Sequence, residues 1–211
     1  MKFEKLLSLV GDEPVFSSSL FDVVDVSASQ VRLQIVRWVN AGKLIQLRRG
    51  LYVLNRPYRK IEPHPYLIAN RLRKASYVSL QSALAYYGMI PEHVPVVTSI
   101  TTGRREELQT GLGAFGFRHV QKSLFAGYQT VVVAPGQSAF LATPEKALLD
   151  LIYLSPGGDN AAFIDELRLQ GTAALSSTAL TAAARPFDSP KIERAVADIC
   201  ARMADEKETG G

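Results

Sequence analysis

The stretch GKLIQLRRGLYVL, residues 42–54, constrains the fold of this chain more than any other. Two apolar runs, Leu44–Leu47 and Leu51–Leu54, flank Arg48-Arg49-Gly50. Both runs are rich in strand formers, and Gly50 suits the positive φ of a tight three-residue connection, so the segment predicts a β-hairpin. Upstream, Ser27 is a candidate N-cap for a helix running to about Ala41, with Gly42 just past its end. Val31, Ile35, Trp38 and Val39 fall on one face of that helix, the side expected in the core, which makes Trp38 a packing residue rather than a stacking platform. Gln30, Gln34 and Arg37 fall on another face, with Ser29 and Arg32 beside them. Earlier still, Phe3, Leu6, Leu7 and Val10 recur at helical spacing, and Gly11–Pro14 end that helix. Val15-Phe16 reads as a very short strand, Ser17–Ser19 as caps for a short helix over Leu20 to Val24, and Asp25-Val26 as a turn. Helix, short helix, longer helix and hairpin, in this order over residues 1–60, are the pieces of a winged helix-turn-helix.

Charge follows the same division. Residues 1–60 hold ten Lys/Arg against five Asp/Glu, a balance of +5, whereas residues 61–211 hold 14 against 15. A cationic N-terminal quarter on a nearly neutral remainder points to an anionic partner for that quarter, nucleic acid first, although a merely solvated surface shares the composition.

Asn55 to Pro65 holds three prolines and reads as a linker or the exit of the hairpin. Beyond it the pattern changes. Pro65 suits the first turn of a helix reaching about Ala75, and Ser79 is a candidate cap for another through Tyr87. Val96–Thr101, Phe115–Val120 and Tyr128–Ala134 read as strands. Thr143-Pro144-Glu145 is a strong helix start, with cap, proline and acid in register. Two or three more helices follow, the last capped near Ser189 and burying Ile192, Val196, Ile199 and Met203. The expected architecture is α+β: a winged helix-turn-helix over 1–60, an α+β domain with a small mixed sheet over 61–204, and a disordered tail over 205–211.

A winged helix places its second helix in the DNA major groove and its hairpin on phosphates or in the minor groove. Ser29, Gln30, Arg32, Gln34 and Arg37 are then candidates for base edges and neighbouring phosphates. Glutamine pairs with adenine, and arginine with guanine, through two hydrogen bonds, at about 1–3 kcal/mol of discrimination each. Arg48 and Arg49 at the hairpin tip are candidates for phosphates or an A·T-rich minor groove. Lys43, Arg59 and Lys60 are further backbone contacts. Arg71, Arg73 and Lys74, with Arg104 and Arg105 of TTGRREE, form a possible second basic surface that suits DNA, RNA or a nucleotide phosphate; an ordinary solvated face explains them equally well.

The segments SASQVRLQIVRWVNAGKLIQLRRGLYVL, YVSLQSALAYYGMI and LATPEKALLDLIYL, in that order, resemble the AbiEi family of antitoxins and transcriptional regulators over residues 3 to 155. The resemblance implies the antitoxin of a bacterial type IV toxin–antitoxin pair. Its winged helix would bind inverted repeats in its own promoter and repress the operon. Its C-terminal domain would counter a toxin of the nucleotidyltransferase class, commonly without a stable complex between the two proteins. SLQSAL and TPEKALLD match recurring segments of the family and read as capped helices that support the sheet.

Enzyme chemistry finds little here. His64, His93 and His119 are scattered, and the single cysteine, Cys200, has no histidine near it in sequence and lies on or beside a buried helix face. Glu106-Glu107 reads as part of a solvated loop, and Glu145 with Asp150 as a helix start and its later turn. No phosphate-cradling glycine motif occurs, so no catalytic residue, metal or cofactor is expected. One cysteine and no secretory signal fit the cytoplasm, and no apolar run is long enough to span a membrane. A ligand-responsive regulator, whose second domain takes a small effector, is the alternative to the antitoxin, as is a module that grips the toxin directly.

Overall fold

Two hydrophobic cores meet at one small sheet. The computed structural model describes residues 1–22, 27–92, 94–170 and 175–209. The first core gathers α1 (Phe3–Val10), α2 (Ala28–Asn40) and a three-stranded antiparallel sheet with order β1-β3-β2, formed by β1 (Phe16–Ser17), β2 (Leu44–Arg48) and β3 (Leu51–Leu54). Phe3, Leu6 and Val10 of α1 pack on Ile35 and Trp38 of α2, with Phe3 edge-on to Trp38 at 5.5 Å. The expected core face of α2 is therefore present, with Val31 and Val39 half-buried at its margin. Ser27 caps α2 by accepting from the Gln30 amide at 3.4 Å. A 3₁₀ turn over Ser18–Phe21 stands where the short helix was expected; Val23 and Val24 of that helix and the turn at Asp25-Val26 lie outside the described residues.

Strand β3 is buried along its whole length because it serves both cores. Tyr52 and Leu54 point into the first, Leu51 and Val53 into the second, as the two-residue side-chain period requires. Val15 and Leu47 join Leu51 and Val53 on the second face, against Leu67, Ile68 and Leu72 of the body that follows. Nor is the stretch after the hairpin a free linker. The side chain of Asn55 donates to Gly42 O at 2.9 Å, Tyr58 stands edge-on to Phe3, and the buried Gln137 amide bonds to Glu62 O and His64 N.

The second body is α+β. Its mixed six-stranded sheet has the order β6-β7-β5-β4-β9-β8. The strands are β4 (Ser76–Val78), β5 (Val96–Thr101), β6 (Glu106–Thr110), β7 (Gly113–His119), β8 (Tyr128–Ala134) and β9 (Gln137–Ala142). β5 runs parallel to β7, and β4 parallel to β9; the other pairs are antiparallel. Around it lie α3 (Pro65–Leu72), α4 (Leu80–Tyr86), α5 (Pro144–Leu154), α6 (Ala161–Glu166), α7 (Ser177–Ala184) and α8 (Pro190–Thr209). α3 stops a turn earlier than expected. α8 buries Ile192, Val196, Ile199 and Met203 and carries its backbone on to Thr209, over residues expected as a tail. Glu106-Glu107 opens strand β6 rather than a loop.

Two polar features hold this body. Asp150 on α5 is fully buried, ion-paired with Lys146 one turn earlier, and accepts from Ser79 Oγ at 2.8 Å and Tyr77 OH at 3.1 Å. Burial pushes the Asp150 carboxyl up from its usual range, against the pull of Lys146 and the two hydroxyls. Ser79 thus turns its hydroxyl to Asp150, and no side-chain cap forms on α4; Thr143 does cap α5, through Lys146 N at 3.3 Å. Gly127, at φ +76°, leaves room for the Lys146 stem, since a Cβ there would come within 3.0 Å of Lys146 Cγ.

The second feature is His64, whose Nδ1 accepts from Tyr66 N at 3.2 Å and so caps α3. Burial holds its imidazole below the usual range. A lowered folded value means that stability is full above the unfolded value and is lost as pH falls from it through the folded value, because protonation would charge a partly buried ring. The melting temperature is expected to fall between about pH 7.5 and about pH 5.5, and less so in His64→Asn, which caps without titrating in that interval. Equal falls in the two proteins would remove His64 from the account.

Candidate nucleic-acid interface

Helix α2 stands beside the β2–β3 hairpin, and an open groove of about 650 Å³ runs between them. Arg32 and Val36 of α2, Gln46 of β2 and Arg49-Gly50 of the tip line it together. Gly50 takes φ +83°, the left-handed backbone that a side chain would strain. A bulge between Gln46 and Arg48 draws Arg48 into β2, so Arg49-Gly50 alone makes the turn and Arg49 alone stands at the tip.

The outward face of α2 repeats at helical spacing as Ser29, Arg32, Leu33, Val36, Arg37 and Asn40, all exposed. Gln30 is exposed beside it, and Gln34 is half-buried and accepts from Arg37 Nη1 at 3.5 Å. Leu33 and Val36, 53% and 49% exposed, were missed in the sequence. Their signal was there: both are apolar yet fall off the face set by Val31, Ile35 and Trp38. Exposed aliphatic side chains between arginines suit thymine methyl groups as well as any apolar contact.

The cations divide into two sets. Arg32, Arg37 and Arg49 are exposed and form no ion pair among the described residues. Others expected to be available are engaged within the chain. Arg48 donates to Leu72 O at the carboxyl end of α3, where a cation also meets the negative end of the helix dipole. The Arg59 side chain is only 7% exposed and pairs through Nη2 with Glu62 at 2.7 Å, while its Nε and Nη1 are buried without a partner, so the guanidinium is covered rather than presented. Lys43 lies 4.6 Å above the Phe3 ring, which leaves it half-buried. Lys60 pairs with Asp12 at 3.0 Å, but both are exposed, and such a pair contributes at most about 1 kcal/mol and exchanges readily. Asp22 also lines the groove, an acid among its cations.

The second basic surface is not one surface. Arg73 is turned inward, ion-paired with Glu106 and 5.6 Å from the Phe117 ring centroid. Arg71 and Lys74 line a cleft on the other side of the small sheet, with Ser17 and Leu51. Arg104 is exposed, and Arg105 pairs with Glu107 at 3.0 Å. Groups of three His, Cys, Asp or Glu able to hold a metal do not occur among the described residues, and His93 lies outside them. No described helix is long and apolar enough to cross a membrane. No protein-family model and no curated protein matches the chain.

Proposed function

We propose that residues 1–60 act as a winged helix-turn-helix and that the protein is a DNA-binding transcriptional repressor. The observation that supports this best is the shared groove: the outward face of α2 and the arginine at the hairpin tip flank one open channel, with Arg32 and Arg49 on its two sides. A helix of 13 residues, capped by Ser27 and exposed along one face, suits insertion into a major groove about 12 Å wide. The tip arginine is then in reach of phosphate or the minor groove. Following the AbiEi resemblance, the operator is an inverted repeat in the protein's own promoter. The wider role is that of a type IV antitoxin against a nucleotidyltransferase-type toxin; a nucleotidyltransferase gene next to this one supports that role, and a metabolic operon argues against it.

Fluorescence anisotropy on the upstream duplex tests the DNA reading. The inverted repeat is expected to bind about a thousandfold more tightly than a shuffled duplex of equal length. Equal affinities at moderate salt would reduce the protein to a charged surface and end the repressor reading. Arg37→Ala is expected to relax base preference at one position of the site, by about 1–3 kcal/mol. A loss equal for every sequence would instead make Arg37 a phosphate contact.

A further inference from the structure

A second concave site lies in the α+β body, away from the groove beside α2. Parallel neighbours β5 and β7 end on the same side of the sheet, and ligands of open sheets bind in crevices beyond the carboxyl ends of such strands. There a cleft of about 450 Å³ is lined by Arg118 and His119 at the end of β7 and by Arg105 from the turn after β5. Gln81 of α4 adds a polar side chain, and Leu80, Leu151 and Leu154 supply an apolar wall. That volume is within the range of small-molecule pockets, about 300–1,000 Å³.

Its electrostatics are specific. Arg105 and Arg118 both reach the same oxygen of Glu107, each at 3.0 Å. One carboxylate thus faces two guanidinium groups, and each guanidinium has five N–H donors, so positive charge and donors remain. Arg118 is largely covered, at 31% exposure against 66% for Arg105, which makes it the inner cation. His119 is oriented by the 2.9 Å bond between its Nδ1 and Gly103 O. Leu80 lies in the left-handed region at φ +53°, a conformation that strains a non-glycine residue by about 1–3 kcal/mol and recurs at binding sites.

We propose that this cleft binds a small phosphomonoester, its phosphate on Arg105 and Arg118 and its body against Leu80, Leu151 and Leu154. A phosphate dianion suits two forked donors that one carboxylate leaves in excess, and bidentate pairing is the reason arginine serves such sites. The apolar wall suits a planar or aliphatic body better than free phosphate.

Calorimetric titration of the full chain with adenosine 5′-monophosphate, adenosine and inorganic phosphate tests it without DNA, so it stands or falls apart from the repressor reading. The monophosphate is expected to bind most tightly, inorganic phosphate more weakly, and adenosine weakest. Arg118→Met should weaken the monophosphate by about 10- to 100-fold, the loss of a charge-assisted hydrogen bond. Arg105→Ala, at an exposed position, repeats the test should Arg118→Met fail to fold. Arg49→Glu should leave the titration unchanged. Adenosine binding as tightly as the monophosphate, no binding of the monophosphate at millimolar concentration, or full binding in folded Arg118→Met or Arg105→Ala would each overturn the site.

Discussion

Asp150→Ala is expected to lower the free energy of unfolding by about 3–5 kcal/mol, read from the denaturant midpoint at unchanged slope. The size comes from what the substitution leaves behind. Lys146 stays in a site where its side chain is 5% exposed, with its only ion-pair partner among the described residues gone. Ser79 and Tyr77 lose their common acceptor at the same time. Replacing Lys146 and Asp150 together, by methionine and leucine, removes the stranded charge and should cost less than Asp150→Ala alone, although the two hydroxyls still go unpaired. A loss under about 1 kcal/mol for the single variant would mean that the carboxylate does not hold this centre. TPEKALLD thereby takes on a meaning beyond its helix start: Lys146 and Asp150 of that segment bind Tyr77 and Ser79 of β4 and the turn after it.

Arg49→Glu should weaken binding to every DNA sequence alike and lower the log–log salt slope by about 0.9 for each phosphate that is no longer neutralised. Arg49 stands alone at the tip because Arg48 is tied to Leu72 O, so the paired arginines divide between a docking role and a free cation. Arg48→Ala is therefore expected to differ from Arg49→Glu: it should loosen the hairpin from α3 and leave the salt slope nearly unchanged. An unaltered slope in Arg49→Glu would remove the hairpin tip from the interface.

The shared core changes how the two halves are to be taken. The shift in composition over residues 55–65 suggests separable modules, yet Val15, Leu47, Leu51 and Val53 are buried with the second body. A fragment beginning at residue 61 would expose the apolar surface of α3 that they cover. Separation by sequence composition and separation in space are different properties, because a strand with two buried faces belongs to both neighbours.

Legibility differed by element for physical reasons. α2 was readable from Ser27, from the spacing of Val31, Ile35 and Trp38, and from Gly42, all local signals. The hairpin was readable from its strand formers and Gly50. β4 was not, since three buried residues carry no period. β6, with Glu106, Glu107 and Gln109, is poor in strand formers and is held by pairing with β7 at the sheet edge. β9 was not readable either, since its buried positions begin with the polar Gln137 and its exposed ones include Phe140, so burial does not follow residue type.

Local chemistry thus determined where helices begin, where the hairpin turns and which quarter of the chain is cationic, because caps, glycine and charge act over a few residues. Which of the arginines keep a guanidinium uncommitted was decided largely by the tertiary structure. Arg48 and Arg73 look the same in sequence as Arg32, Arg37 and Arg49, but their acceptors, Leu72 O and Glu106, are brought to them by folding. The gathering of Arg105, Arg118 and His119 about one cleft is of the same kind, since strand pairing places residues far apart in the chain side by side.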